Sequence, residues 1–265
     1  MEIRKAHIDG GEGFDWGKTS EDYAKFRDIY PAEFYRIIAE RGLCVKGQRV
    51  LDLGTGTGVL PRNMQQYGAE WVGTDISPEQ ITQAKRLSEA AGFDIPFYAS
   101  AAEDLRFPAH SFDVVTACQC WWYFDYETLT PKLLELLKPD GSYLVLFMAW
   151  LPFESEIAEE SERIVLKYHP AWNGGGYTRK PLEMPERLYR DFEAVWHGEF
   201  DMPVHFTRES WHGRMRACRG VGASLPPDAL AAWDREHREM LGRIAPPEFD
   251  ILHHTAMLEL KPKQK

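Results

Sequence analysis

Basic residues are in short supply in this 265-residue chain: 31 lysines and arginines face 41 aspartates and glutamates, a net charge of −10. No long basic run offsets the deficit. Neutralising phosphates takes clustered Lys and Arg, so no nucleic-acid partner is expected. Long apolar runs are missing as well. No segment approaches the roughly 20 residues that cross a bilayer, and the opening MEIRKAHIDGGEGFDWGK holds no apolar core of a signal peptide. Neither a membrane partner nor export is expected. Cysteine is limited to Cys44, Cys118, Cys120 and Cys218, and Cys118 and Cys120 lack the CxxC spacing of zinc and redox sites. Free thiols in a reducing cytoplasm follow as the expectation. No metal site is expected either: His253 and His254, adjacent on a strand, point to opposite faces, and no carboxylate–histidine cluster accompanies them.

What is present is 44% hydrophobic residues with mixed charge, enough for a proper globular core. Residues 20–42 read as helical segments broken at Pro31 and ended at Gly42. RVLDL is short, apolar and bounded by turn residues, which predicts a buried strand. A helix over VLPRNMQQYG follows, then a strand over EWVGTDI. Ser77 begins the next helix as N-cap, with Pro78 at its first position and Gln80 completing a capping box. IPFYAS and FDVVTAC read as strands, YETLTPKLLELLKPDG as a helix ending at Pro139–Gly141, and SYLVLFMAW as the fifth strand. This alternation predicts right-handed crossovers and a parallel, doubly wound α/β sheet. Beyond Trp150, ESEIAEESERIVLKYH, RESWHGRMRACRG and DALAAWDREHREMLGRI read as helices, WHGEFDMPVHF as a strand pair or one bent strand, and DILHHTAMLEL as a final strand.

The first strand runs into Asp52-Leu53-Gly54-Thr55-Gly56-Thr57-Gly58. A dinucleotide fingerprint needs GxGxxG, and both frames fail, since the third glycine would fall on Val59 or on Pro61. No GK[ST] follows, so a phosphate loop is excluded. What remains is an acidic strand end, GxGxG, and a second acid, Asp75, ending the next strand.

With AAEDL and FDVVTACQ in order behind it, this pattern resembles the class I S-adenosylmethionine (SAM)-dependent methyltransferases, clearly over residues 20–150 and loosely beyond. The resemblance implies a mostly parallel, seven-stranded Rossmann-like sheet with a helical N-terminal lid and C-terminal cap elements. It implies one domain over 1–265, with a SAM-binding core over 20–150, an acceptor cap over 151–215 and completion of the sheet over 216–265. SAM is the implied cofactor. It carries an ammonium and a sulfonium and no phosphate, so close-approaching backbone and carboxylates suit it. The implied cofactor residues are Tyr23, Arg27, Asp52, Gly54, Thr55, Gly56, Gly58, Asp75, Ile76, Gln80, Ala102, Glu103, Cys118 and Gln119. Asp75 is implied for the ribose hydroxyls, Ile76 for the adenine face, and Arg27, a turn from Tyr23 in YAKFRDIYP, for the methionine carboxylate. Relatives often carry Asp where this chain has Ala101, which leaves the adenine edge to Ala102 with Glu103 or Asp104.

The implied reaction is methyl transfer to a small-molecule acceptor with release of S-adenosylhomocysteine. Displacement at a sulfonium-bound methyl rests mainly on positioning and desolvation, and a general base is needed only for a protonated acceptor. Candidates for catalysis are Tyr30, Trp122, His169 and Tyr177. Trp122 stands where relatives acting on small acids often have histidine, while His169 and Tyr177 flank a Gly174–Gly176 stretch read as a mobile loop with Trp172. Arg214, Arg216 and Arg219 are candidates for an acidic acceptor, with ion pairing to surface acids as the competing reading. Two alternatives stand beside this one: a non-catalytic SAM-binding protein, and a methyltransferase acting on a protein or nucleic acid. The acceptor atom and the oligomeric state are left open by the sequence.

Overall fold

The computed structural model describes residues 2–264. After a helical turn over Trp16–Thr19, α1 (Ser20–Phe26) and α2 (Ala32–Glu40) precede β1 (Arg49–Leu53), with Pro31 standing between the helices. Next come α3 (Val59–Met64), β2 (Glu70–Asp75), α4 (Pro78–Ala90), β3 (Phe97–Ala99), β4 (Phe112–Cys118), α5 (Tyr126–Leu136) and β5 (Leu137–Trp150). The remainder is α6 (Glu156–Tyr168), α7 (Glu186–Asp191), β6 (Phe192–Thr207), α8 (Arg208–Arg216), α9 (Pro227–Ile244) and β7 (Glu248–Pro262).

The seven strands form one sheet in the order β3-β2-β1-β4-β5-β7-β6. β1 pairs in parallel with β2 and β4, β2 with β3, and β4 with β5. Leu51 lies opposite Val72 on one side and Val115 on the other. Strands sandwiched this way are covered on both faces, which explains why RVLDL and FDVVTAC are nearly continuous apolar runs. The order reverses direction between β1 and β4, so the loops after these two strands flank the switch point where open α/β sheets bind ligands.

Local chemistry sets the element ends. Ser77 caps α4, its Oγ accepting from Gln80 N at 3.3 Å, with Pro78 in the first turn. α8 has a reciprocal cap, Ser210 N donating to Thr207 Oγ1 at 3.1 Å and Thr207 N to Ser210 Oγ at 2.9 Å. One element differs from the sequence expectation. α5 stops at Leu136 rather than near Gly141, because His110 N and Ser111 N take the carbonyls of Glu135 and Leu136 at 2.8 and 3.0 Å, and Leu137 is already extended. The segment read as a strand pair or one bent strand lies in the single strand β6.

The chain divides into two units, each with its own core. One comprises 2–29, Ala149–Arg179 and Asp201–His254; the other Tyr30–Met148, Lys180–Phe200 and 255–264. The second is packed around Leu51, Val115, Leu133, Tyr143, Phe192 and Leu258. The first is built on fully buried Trp211, Trp233 and Phe206. Four of its buried or half-buried side chains form one polar chain with Asp234: Ser161 Oγ accepts from Trp211 Nε1 at 2.9 Å and lies 3.0 Å from His237 Nε2, and His212 bridges His237 and Asp234 at 2.9 and 3.1 Å. No helix among the described residues is long and apolar enough to cross a membrane.

Candidate functional site

The site begins where β1 ends. Gly54, Gly56 and Gly58 all take left-handed backbone, with φ of 58°, 55° and 73°. A Cβ on Gly54 would stand 2.9 Å from Cys120 Cβ and Sγ, and one on Gly58 would stand 2.8 Å from Phe97 Cζ. Two of the three glycines are therefore required by both conformation and space. Thr55 N donates to Thr74 O at 2.8 Å and Gly58 N to Thr55 O at 2.9 Å, which fastens the turn to β2.

The Asp75 carboxylate closes it. Oδ2 accepts from Gly56 N and Oδ1 from Ser77 N, both at 2.9 Å, so one side chain links the glycine turn to the start of α4. Burial raises the Asp75 carboxyl above its usual range, against the backbone N–H groups of Ser77, Gly56 and Ile76 that lower it. Asp52 is only 1% exposed, and its Oδ1 accepts from Thr116 Oγ1 at 2.6 Å, the two residues being register partners across β1 and β4. Burial pushes its carboxyl up to about 7; the Thr116 hydroxyl opposes the rise and the Asp75 charge adds to it. Among the described residues neither carboxylate has a salt-bridge partner. Two acids held at one turn without a cation suit a positively charged ligand.

The loop after β4 supplies the other wall. Gln119 has φ of 62°, an uncommon value for a residue with a side chain. It is held there by its N–H on Leu146 O at 2.9 Å and by its side-chain amide on Met148 O. Cys118 Sγ lies 3.4 Å from the Tyr30 hydroxyl, and the Tyr30 ring stacks on Phe34 at 4.5 Å. Trp121 and Trp122 are half-buried and meet edge to face at 4.5 Å, each also facing Phe147. After β3, Ala102 is buried, and Glu103 Oε1 accepts from Asp125 N at 2.8 Å. Ile76 is exposed and Gln80 is buried. Asp52, the glycine turn, Asp75, Ile76, Gln80, Ala102, Glu103, Cys118, Gln119, Tyr30 and Trp122 all belong to the second unit.

The other candidates belong to the first unit. Arg27 packs its guanidinium 4.7 Å from the Tyr23 ring centroid and donates to the Tyr23 hydroxyl at 3.4 Å. His169 is buried, with Nδ1 3.1 Å from Gly220 O and Nε2 3.1 Å from Glu12 Oε2. Tyr177 stacks on His254 at 6.1 Å. The loop between His169 and Tyr177 is fastened at several points. Asn173 N donates to Asp9 Oδ1 and Gly176 N to Glu162 Oε2, while Trp172 is buried so tightly that a Cβ on Gly174 or Gly220 would meet its ring at 2.6 or 2.5 Å. Gly174 and Gly175 thus make room for Trp172. Arg219 pairs with buried Asp9 at 2.7 Å, and Arg216 with Asp22 and Asp234 at 3.2 and 3.3 Å.

Sequence comparison bears on the same core. Residues 50–141 match a family profile described as a methyltransferase domain. Over that stretch the chain is similar to the class I SAM-dependent methyltransferases. It is 33% identical over 153 residues to a ubiquinone biosynthesis O-methyltransferase of Neisseria meningitidis, covering 53% of this chain and 63% of that one. To a demethylmenaquinone methyltransferase of Thermus thermophilus it is 39% identical over 102 residues, 37% of this chain and 46% of the other. The chain therefore spans between about half and just under two thirds of the length of these curated relatives. The crystal structure of Bacillus subtilis YcgJ superposes with a TM-score of 0.53 at 19% identity, covering 88% of this chain and 99% of that one, a likeness of fold. SAM is the cofactor of such methyltransferases, and carboxylates without a described cation at the glycine turn suit a ligand that carries an ammonium and a sulfonium.

Proposed function

We propose that the chain transfers the methyl group of SAM to a small-molecule acceptor and releases S-adenosylhomocysteine. The observation that carries the reading is the turn after β1: three left-handed glycines closed by Asp75, with Asp52 buried beside them and no cation described for either acid. When bound, the cofactor supplies a methyl group on a sulfonium, a carbon that already bears its leaving group.

The protein's part is to hold and to exclude water. Each Asp75 oxygen accepts one backbone N–H and keeps a lone pair, which suits two neighbouring ribose hydroxyls. Ile76 covers the adenine face, and the Ala102 backbone with the Glu103 carboxylate takes its edge. The glycine turn admits the cofactor close to the backbone, with Thr55 and Gln80 shaping that wall. Asp52 faces the amino-acid end as the counter-charge, and Cys118 and Gln119 line it. By resemblance, Tyr23 and Arg27 are assigned to the methionine carboxylate. Tyr30 and Trp122 are assigned to the acceptor and to excluding water; His169 and Tyr177 rest on the sequence alone.

Calorimetric titration with SAM and S-adenosylhomocysteine, with NADH as control, tests the reading. Micromolar binding of both adenosyl ligands is expected, at least tenfold weaker in Asp75→Ala, with none for NADH. An acceptor screen following S-adenosylhomocysteine release would then separate an enzyme from a SAM-binding protein. A folded protein that binds neither adenosyl ligand refutes the proposal.

A further inference from the structure

We infer that Arg214 anchors the carboxylate of a small organic acid, a ligand site of the first unit that goes beyond the proposed function.

Three arginines sit close together on α8 and just past it, and the fold treats them differently. Arg216 and Arg219 meet aspartates. Arg214 meets none, although it is the most buried of the three at 3% exposure. Its guanidinium lies 4.8 Å from the Trp150 ring centroid, and Nη1 donates to Cys218 Sγ at 3.1 Å. Thiol sulfur is a weak acceptor, and Nε has no hydrogen-bond partner among the described residues. A guanidinium offers five donors in a fork matched to a carboxylate. Of these donors, one is described on a thiol sulfur and the buried Nε–H has no described partner.

Burial and the Arg27 charge push Arg214 down to about 10, so it is still a cation at neutral pH. Arg27 is near because α1 and α8 approach closely: a Cβ on Gly213 would fall 2.2 Å from Phe26 Cδ2. A buried charge without a counter-ion is among the more costly features a fold can hold, and a second cation beside it adds to the cost. The neighbouring His253 points the same way. Its Nδ1 lies 2.9 Å from Ile251 O, which places the proton there, and burial with the two arginines pushes the ring down to about 3. Its Nε2 is left as a buried lone pair with no partner among the described residues. An orphaned cationic donor and an orphaned acceptor in one electrostatic neighbourhood complement an acid that also bears a hydroxyl. A single unfilled guanidinium matches one negative charge, which favours a carboxylate over a phosphate. By resemblance the cofactor's own carboxylate is assigned to Arg27, which leaves Arg214 for another anion.

The test uses the full chain and its Arg214→Met and Arg214→Lys variants. Acetate, glycolate, benzoate, neutral benzamide and inorganic phosphate are titrated by ligand-observed NMR, with and without saturating S-adenosylhomocysteine. At least one carboxylate is expected to bind the wild type, with affinity reduced at least tenfold in Arg214→Met and less in Arg214→Lys, while benzamide does not bind. S-Adenosylhomocysteine affinity should stay within twofold, and Arg214→Met should unfold at the same or higher urea concentration, since it loses an uncompensated charge. The inference is overturned if no carboxylate binds in an Arg214-dependent way, if phosphate binds better than every carboxylate, or if Arg214→Met destabilises the fold, which makes the residue structural. It is equally overturned if Arg214→Met loses S-adenosylhomocysteine, which gives the residue to the cofactor. Arg214-dependent carboxylate binding by a wild type that ignores adenosyl ligands would instead sink the methyltransferase proposal and leave the anion site standing.

Discussion

Replacing Asp52 by asparagine should make the protein more stable and a poorer binder of the cofactor. In the folded chain its carboxyl is pushed up to about 7 from an ordinary 3.8. The unfolded chain therefore releases this proton at lower pH than the folded one, and stability falls as pH rises from about 4 to about 7, with the loss complete above that window. The gap corresponds to about 4 kcal/mol at full effect, and relaxation and water entry reduce it to roughly 2–3 kcal/mol. Asparagine is neutral and nearly isosteric, and its carbonyl can still accept from Thr116 Oγ1, losing about 1 kcal/mol of charge-assisted strength. The net expectation is a gain of about 1–2 kcal/mol at pH 8 and almost none at about pH 3.5, where the carboxyl is protonated in the folded chain and largely so in the unfolded one. Urea unfolding followed by tryptophan fluorescence at both pH values reads this directly. S-Adenosylhomocysteine affinity should fall at least tenfold in the same variant, a stability–function exchange of the kind active sites often carry. Parallel pH profiles for variant and wild type would refute the placement of the Asp52 charge.

Gly58→Ala forces a side chain onto a residue at φ 73° and into Phe97; a loss of about 2–4 kcal/mol is expected from left-handed strain plus overpacking, read as a lower urea midpoint, with adenosyl binding lost as well. Gly213→Ala sets about 1 kcal/mol of helix propensity against a collision with Phe26. Alone it should destabilise by about 1–2 kcal/mol, but in a Phe26→Ala background it should stabilise, and a double-mutant cycle without at least about 1 kcal/mol of coupling would show that α1 is not packed on that glycine.

The parallel core was readable because its signals are local. RVLDL followed by GxGxG, Asp75 ending the next strand, and the Ser77–Pro78 helix start each depend on a few adjacent residues, and the fold places them as the pattern implies. What the sequence hid depends on partners far along the chain. The end of α5 is set by amides of His110 and Ser111, some 25 residues away, that capture its last carbonyls. Asp52 looks like any acid until strand register puts Thr116 opposite it. Gly174 suggested freedom but is explained by the bulk of Trp172. Arg214, Arg216 and Arg219 are nearly equivalent on paper, and only the fold, by supplying Asp9, Asp22 and Asp234, sets Arg214 apart.

The uncompensated charges of the two units also differ in how they can be relieved, and that difference is measurable. Asp52 can discharge by taking up a proton near neutral pH, whereas Arg214 at about 10 cannot lose its own in any ordinary buffer. A cationic ligand binds the ionised Asp52, so its affinity must fall as the carboxyl protonates. For a site that is half protonated at pH 7, the expected weakening between pH 7 and pH 5 is up to about 50-fold, in a range where the cofactor's amino group, ordinarily near 8, stays charged. Asp75, also raised by burial, acts in the same direction. An anion held by Arg214 has no such dependence as long as the anion itself remains ionised. Calorimetry with S-adenosylhomocysteine from pH 5 to 7 should thus show a steep slope that Asp52→Asn flattens, while glycolate titrated from pH 6 to 9 should show none. A flat cofactor profile in the wild type would mean that Asp52 does not face the ligand's charge. A glycolate profile that weakens steeply as pH rises from 6 to 8 would mean that a titrating cation other than Arg214 holds the anion.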